Sequence, residues 1–132
     1  MASLIGFYSL IFGLCFSFLI VLVSVKNFRN NNIFDKKIIF LTFLQLFFVI
    51  LSFLSLILSF VNSDFSNETV FNHSHTTKPL FYKISGAWGN HEGSLLLWLL
   101  VLTLFIFLFL LKSNQQSKQY RILTLLFQQI II

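Results

Sequence analysis

The sequence predicts an all-α polytopic membrane protein, and three observations support this fold class. Of its 132 residues, 57% are hydrophobic and only 10% are charged, whereas soluble domains usually carry about 25% charged residues. The mean hydropathy is +0.87. Three uncharged apolar runs are each long enough to cross a bilayer, which takes roughly 20 residues. Together these features exclude a disordered chain, a secreted disulfide scaffold and an ordinary cytosolic domain.

Each apolar run is expected to form one transmembrane helix of a single membrane domain. The expected helices and the outer loop that precedes the third of them cover about residues 4–25, 38–61, 94–111 and 62–93. The first run is predicted to be a retained helix rather than a signal peptide. No charged residue precedes Lys26, and the apolar stretch is longer than the core of a usual signal.

A fourth apolar stretch, residues 120–132, differs from the other three in length and polarity. Its 13 residues include Arg121, Gln128 and Gln129, and this length is too short to span a bilayer. We expect either the first half of a further helix or a segment that lies at the membrane interface.

The charges of the connecting loops predict the topology. The first loop, residues 26–37, has a net charge of +3, and the basic residues after the third run, Lys112, Lys118 and Arg121, again give +3. The outer loop at 62–93 has a net charge of −1. Because Lys and Arg are retained on the inner side, the N-terminus and the outer loop are expected on the opposite side. The overall charge of +5 is thus explained by topology, and we expect no nucleic-acid partner.

Small and polar residues recur at helical spacing on the first two runs, which predicts close helix packing. These candidate packing residues are Gly6, Ser9, Gly13 and Ser17 on the first run and Thr42, Gln45, Ser52, Ser55 and Ser59 on the second. A polar substrate path is the alternative interpretation. It would more often place ionisable side chains inside the spans, and the three runs contain no Asp, Glu, Lys, Arg or His.

The second half of the outer loop contains the residues best suited to a function. Asn90 is a good N-cap for the third helix. Glu92 would lie in the first turn of this helix, where its negative charge interacts favourably with the helix dipole. The indole of Trp88 would anchor the chain at the membrane interface. In an alternative arrangement the helix begins near Trp88, and Trp88, His91 and Glu92 then share one face. In both arrangements we expect His91 to be a hydrogen-bonded structural or docking residue rather than an iron ligand.

Other kinds of site have weak support. His73, His75 and His91 are the only histidines, and a three-nitrogen metal site is not demanded by their spacing; we expect none. Cys15 is alone, which excludes an internal disulfide and a cysteine-based zinc site. No phosphate-binding, protease or dinucleotide motif occurs.

The outer loop and the start of the third run resemble the CcmF family of cytochrome c maturation proteins, in particular the N-terminal part of the mitochondrially encoded form. The similar stretches are Asp64–Ser66, Val70, His73–Ser74, Lys78–Leu80, Tyr82–Ile84 and Trp88–Trp98. The last stretch matches a specific family signature, formed here by Trp88, Gly89, Asn90, His91, Glu92, Gly93 and Ser94 and followed by Trp98. The family's architecture of two helices, an outer loop and a third helix opened by the signature agrees with the topology predicted from charge.

The resemblance implies a haem lyase, which receives haem from a haem chaperone and attaches it to apocytochrome c on the outer face. The family handles haem on a tryptophan-rich loop flanked by histidines, whereas this sequence has only Trp88 and Trp98. The family's haem ligands therefore do not transfer to His73, His75 or His91. We expect an N-terminal fragment of a split lyase that forms a hetero-oligomer with the other fragments. Alone, it would neither catalyse attachment nor bind a cofactor, and haem would be held by the assembled complex.

Composition also points to a cellular location. The 19 Phe and the frequent Ile, Asn and Lys have AT-rich codons, and the residues with GC-rich codons are scarce. We therefore expect an organelle-encoded, multi-pass protein of the mitochondrial inner membrane. In this setting the N-terminus and the outer loop would face the intermembrane space.

Two other functions are open at this point. The chain can be a structural accessory subunit of a large respiratory complex, because the polar faces of the first two helices call for partner helices. It can also be a glycosylated membrane protein, since Asn67-Glu68-Thr69 and Asn72-His73-Ser74 match the acceptor pattern.

Overall fold

The computed structural model describes residues 2–29 and 36–132, and helices joined by short turns make up these parts of the chain. The elements are α1 Ala2–Arg29, α2 Lys36–Val61, α3 Glu68–His73, α4 Leu80–Gly86, α5 His91–Lys112, a short 3-10 turn Ser113–Gln115 and α6 Lys118–Ile131. The described residues form no strand. The all-α prediction is confirmed.

Three of the helices, α1, α2 and α5, are long and apolar enough to cross a membrane. The predicted spans lie inside them, and each helix extends a few residues beyond its apolar run. At α2 the additional residues include Lys36 and Lys37, because a helix continues into the interface where charged side chains reach water. The prediction of a multi-pass membrane protein is confirmed. Asp35, one of the charges counted in the first loop, lies outside the described residues.

Each of the long helices α1, α2, α5 and α6 runs in the direction opposite to the long helix before it. The bundle therefore has two distinct ends. The basic end is where α1 and α5 stop and α2 and α6 begin; it carries Lys26, Lys36, Lys37, Lys112 and Lys118. At the opposite end, called the capped end, the outer loop folds over the bundle. The charge pattern that predicted the topology therefore coincides with the two ends of the folded chain.

α2 is the central helix, with α1 and α5 packed against it. Its contact with α1 is close enough for side chains of α2 to bond backbone carbonyls of α1. The Ser52 hydroxyl donates to the Gly6 carbonyl at 3.1 Å, and the Ser55 hydroxyl donates to the Ala2 carbonyl. Farther along the interface, Phe48 stacks on Phe16 with ring centroids 5.5 Å apart.

α6 is a 14-residue helix that packs inside the bundle at the basic end, against α1 and α5. The apolar core at this end contains residues of α1, α2, α5 and α6. They are Ile20, Ile38, Ile106, Leu110 and Leu125. The Arg121 guanidinium is buried and donates to the Leu110 carbonyl at 2.8 Å. Most of the fourth apolar stretch thus lies in a helix, Lys118–Ile131, that packs against α1 and α5.

The outer loop at 62–93 is folded as a cap rather than extended. Just after the end of α2, Ser63 has a left-handed backbone with φ of 52°, and the Asp64 amide donates to the Ser59 carbonyl at 2.9 Å. This is a common helix-ending pattern, and it satisfies the last carbonyls of the helix. α3 and α4 follow. A second core of Phe60, Val70 and Ala87, all fully buried, fixes the cap to the end of α2.

Candidate functional site

The site is built around the signature residues, which form a hinge between α4 and α5. We call residues 86–94 the signature hinge. Asn90 lies at its centre and is only 7% exposed. Its side-chain oxygen accepts from the Gly93 amide at 2.6 Å, and its side-chain nitrogen donates to the Gly86 carbonyl at 2.7 Å. One side chain thus caps the start of α5 and holds the end of α4.

The capping geometry decides between the two arrangements that the sequence left open. α5 begins at His91, with Asn90 as its N-cap and Glu92 in its first turn. Trp88 lies in the turn before the helix and is 41% exposed. Trp88 is therefore not on a helical face shared with His91 and Glu92.

Gly93 is required by the shape of the hinge. A Cβ atom at this position would lie 1.7 Å from the Ala87 carbonyl oxygen and 2.8 Å from its carbon. No side chain fits so close to backbone atoms. Gly89 is also confined, because its Cβ would lie 3.1 Å from the Ser85 carbonyl oxygen. The absence of a side chain at Gly93 thus lets the first turn of α5 contact the backbone of the α4–α5 turn directly.

The remaining signature residues face outward. His91, Glu92, Ser94 and Trp98 are exposed, and the Ser94 hydroxyl bonds back to the His91 carbonyl at 2.9 Å. With Trp88 they present an imidazole, a carboxylate and two indoles at the capped end. This exposed signature surface can hydrogen-bond and stack against a partner, because none of these rings or charges is buried in the fold.

The three histidines lie in different parts of the cap. His73 ends α3, His75 is in the following turn, and His91 begins α5. His73 is linked to the signature, since its Nε2 lies 3.9 Å from a carboxylate oxygen of Glu92, with both side chains exposed. Over residues 2–29 and 36–132, no group of three or more His, Cys, Asp or Glu side chains is arranged to hold a metal ion.

Two lysines and one carboxylate organise the rest of the cap. Lys83 on α4 donates to the Ser63 hydroxyl at 2.7 Å, and Lys78 donates to the His73 carbonyl at 2.9 Å. The Ser66 hydroxyl and its backbone amide both donate to the Asp64 carboxylate. These two bonds lower the pKa of Asp64 below its usual value because they favour the charged form.

The nine candidate packing residues lie along α1 and α2, and all are buried or half-buried. In three of them the side-chain hydroxyl donates to a backbone carbonyl of its own helix. The donors are Ser9, Thr42 and Ser59, and the acceptors are the carbonyls of Gly6, Ile38 and Ser55, respectively. Ser52 and Ser55 cross to α1, as described above. A Cβ on Gly6 would lie 2.8 Å from the Ser55 hydroxyl oxygen, whereas a Cβ on Gly13 would make an ordinary 3.5 Å contact with Val49.

Ser17 and Gln45 belong to a polar cluster whose third member the sequence did not identify as a site. The Gln129 amide nitrogen donates to the Gln45 oxygen at 2.9 Å, and Gln45 donates back at 3.2 Å. The Ser17 hydroxyl donates to the Gln129 oxygen at 2.6 Å. Its neighbour Gln128 bonds the Leu102 carbonyl on α5. Two consecutive glutamines inside an apolar run are the sequence signal for these contacts.

Several known proteins have sequences similar to this chain. Cytochrome c-type biogenesis protein CycK of Bradyrhizobium diazoefficiens is 59% identical over 61 residues, which are 46% of this chain and 9% of that protein. Cytochrome c-type biogenesis protein NrfE of Haemophilus influenzae is 32% identical over 125 residues, 92% of this chain and 20% of that protein. A probable cytochrome c biosynthesis protein of Daucus carota is 39% identical over 69 residues, 52% of this chain and 11% of that protein. No family model matches the chain.

A solved structure has the same fold. Cytochrome c Heme Lyase CcmF superposes with a TM-score of 0.86 at 24% sequence identity, over 99% of this chain and 22% of that one. At this identity the likeness establishes the fold alone. The chain spans about a tenth to a fifth of the length of the curated relatives it matches. With the sequence relatives and the shared fold together, the chain belongs to the CcmF family of cytochrome c-type biogenesis proteins and corresponds to one part of its longer members.

Proposed function

We propose that the chain is the N-terminal part of a split CcmF-type haem lyase, working in a hetero-oligomer with the polypeptides that supply the remainder. The observation that supports this most strongly is the signature hinge. Asn90 and Gly93 give it a geometry that tolerates few substitutions, and it carries exposed side chains that the fold itself does not use. The chain also spans only 9% to 20% of the curated relatives named above, so the whole reaction needs further polypeptide.

In this proposal the chain supplies a platform and a docking surface. α1, α2 and α5 anchor the cap, and the hinge presents Trp88, His91 and Glu92 outward. Apocytochrome c or the haem chaperone would bind there through hydrogen bonds and ring stacking. Haem is the substrate of the assembled lyase, and the tryptophan-rich loop that handles it would come from another polypeptide.

We further propose that the protein lies in the mitochondrial inner membrane, with the cap in the intermembrane space. The abundance of residues with AT-rich codons supports this location, and the loop charges support the orientation. An impermeant thiol reagent applied to intact mitoplasts tests the orientation in a Cys15→Ser background. Asn72→Cys in the cap should be labelled and Lys112→Cys at the basic end should not. The opposite pattern would overturn the proposal, because apocytochrome c is met on the outer side.

Co-purification tests the function itself. The tagged chain, extracted from native membranes in mild detergent, should bring down a polypeptide that carries the tryptophan-rich loop and at least one other cytochrome c maturation component. Recovery of respiratory-complex subunits alone would favour the accessory-subunit alternative and contradict the proposal. A matched purification of an unrelated tagged inner-membrane protein controls for adhesion of abundant complexes.

A further inference from the structure

The inner faces of three helices become polar at the basic end of the bundle. In the apolar core of that end, the three helices contribute Ile20 on α1, Ile106 on α5 and Leu125 on α6. The residues two helical turns nearer the basic end are Asn27, Ser113 and Lys118. Positions seven apart share one face of a helix, so these polar side chains continue the inner faces of the core residues. We define the basic-end cluster as Ser24, Asn27, Ser113 and Lys118.

A hydrogen bond between α1 and α6 fixes their register and places two members of the cluster at one depth. The Ser17 hydroxyl donates to the Gln129 side-chain oxygen at 2.6 Å, and the two helices run in opposite directions. At 1.5 Å per residue, Asn27 lies roughly 15 Å and Lys118 roughly 16 Å from this bond towards the basic end. The two residues therefore belong to the same level of the bundle.

A hydrogen bond from α6 to α5 brings a third member to that level. The Arg121 guanidinium donates to the Leu110 carbonyl at 2.8 Å. Ser113 lies about one turn beyond Leu110 towards the basic end, and Lys118 lies about one turn beyond Arg121 in the same direction. Equal rises of roughly 4.5 Å therefore bring Ser113 and Lys118 to the same level.

The donors of the cluster are buried and have no hydrogen-bond partner in the part of the chain that the structure describes. Ser24, Ser113 and Asn27 are only 0%, 6% and 7% exposed. Their two hydroxyls and the Asn27 amide nitrogen accept no partner within residues 2–29 and 36–132, and the same holds for the buried Lys118 ammonium nitrogen. Buried donors are costly unless an acceptor meets them. Four such groups at one place indicate a ligand that carries several acceptor oxygens.

The charges around the cluster indicate that this ligand is an anion. Lys118 supplies a positive charge inside the cluster, and the basic end also carries Lys26, Lys36, Lys37 and Lys112. The Asp and Glu residues that the structure describes all lie in the outer loop and at the start of α5, at the capped end. A cation surrounded by neutral donors is the arrangement that binds phosphate oxygens.

The depth of the cluster indicates the source of the phosphate. α1 has 28 residues and is therefore roughly 42 Å long, about the thickness of a bilayer with its headgroups. Asn27 lies two residues before the end of this helix. The cluster is therefore at the level of the lipid headgroups on the inner side of the membrane.

We propose that the basic-end cluster binds the phosphate group of an anionic phospholipid. Lys118, which is half-buried, neutralises the phosphate charge at the surface of the cluster, and Asn27 and Ser113 donate to its oxygens. Basic pockets between transmembrane helices bind anionic headgroups in this way. The inference uses only the fold and the membrane topology, so it is independent of the function proposed above.

Thermal unfolding of the full chain in a mild neutral detergent tests the ligand. A short-chain phosphatidylglycerol, added well above its Kd, should raise the Tm by about 5 °C or more. Phosphatidylcholine of the same chain length and inorganic phosphate should leave the Tm unchanged. An equal rise with inorganic phosphate would show that a free anion binds and would overturn the assignment to a lipid. If none of the three probes raises the Tm, water satisfies the donors and the inference is wrong.

A pair of lysine variants separates the cluster from the general charge of the basic end. Lys118→Gln removes the charge inside the cluster and should weaken phosphatidylglycerol binding about tenfold, as measured by titration of the Tm against lipid. Lys112→Gln removes an exposed charge at the same end and should weaken binding less than about twofold. Equal losses would mean that overall charge attracts the lipid, which contradicts a specific site.

Asn27→Leu tests the buried donor without removing a charge. The leucine has a similar size and has no unpaired amide, so the Tm without lipid should not fall. The rise in Tm with phosphatidylglycerol should be smaller than in the parent protein. An unchanged rise would exclude Asn27 from the site and contradict the inference.

Discussion

Gly93→Ala is the substitution that tests the signature hinge most severely. The added Cβ would lie 1.7 Å from the Ala87 carbonyl oxygen, and both Ala87 and the Asn90 cap are buried around it. To reach even a 3.0 Å separation, α5 and the α4–α5 turn must move apart by about 1.3 Å. That movement pulls the Gly93 amide away from the Asn90 oxygen, now 2.6 Å distant, and shifts Ala87 out of the cap core.

The magnitude follows from these two effects. Forcing extra volume into a packed site costs typically 1–3 kcal/mol, and loss of an N-cap costs typically about 1 kcal/mol. We expect the free energy of unfolding to fall by about 2–4 kcal/mol. In a thermal unfolding experiment on the detergent-solubilised chain, this corresponds to a Tm lower by roughly 7–14 °C.

Gly13→Ala is the matched control. It makes the same chemical change inside a transmembrane helix, where the new Cβ meets only Val49 at 3.5 Å. Its Tm should stay the same or rise slightly, since alanine favours a helix by up to about 1 kcal/mol over glycine. If Gly93→Ala leaves the Tm within about 1 °C of the parent protein, the close backbone contact at the hinge does not exist and the account of the signature is wrong.

Three further predictions extend the test. Asn90→Ala removes both side-chain bonds and should cost about 2 kcal/mol of unfolding free energy, whereas Asn90→Asp keeps the capping oxygen and should cost about half as much; urea unfolding in micelles measures the difference. Gln129→Leu leaves the Gln45 amide unpaired at membrane depth and should cost about 1–2 kcal/mol, and a double variant with Gln45→Leu should cost less than the sum of the two single changes; additive costs would show that the amide pair is not formed. His91→Ala changes an exposed side chain and should shift stability by less than about 0.5 kcal/mol, yet lower the yield of mature cytochrome c without removing a haem absorbance band; loss of bound haem from a normally assembled complex would instead make His91 a ligand.

The spans and the start of α5 were predictable because their signals are local. An uncharged run of about 20 residues has few stable alternatives to a transmembrane helix. The Asn90 cap could be read from the residue type and its position before an apolar run. The exposed positions of His91 and Glu92 follow once that cap is fixed.

The cap and the α6 contacts required the fold. α3 and α4 have 6 and 7 residues, which is too short for an apolar period to identify a helix. The requirement for glycine at position 93 depends on where the Ala87 carbonyl lies, and the sequence does not give that position. The Gln45–Gln129 pair joins residues 84 positions apart, so only the return of α6 into the bundle brings them together.

Covalent haem in c-type cytochromes is the most direct measurement of the central claim that this chain works in cytochrome c maturation. When expression of the chain is silenced, a haem-stained denaturing gel should show less haem-bearing cytochrome c, while apocytochrome c accumulates and the b-type cytochromes keep their absorbance. Unchanged covalent haem, together with the loss of a respiratory complex, would contradict the claim and assign the chain to the structure of that complex.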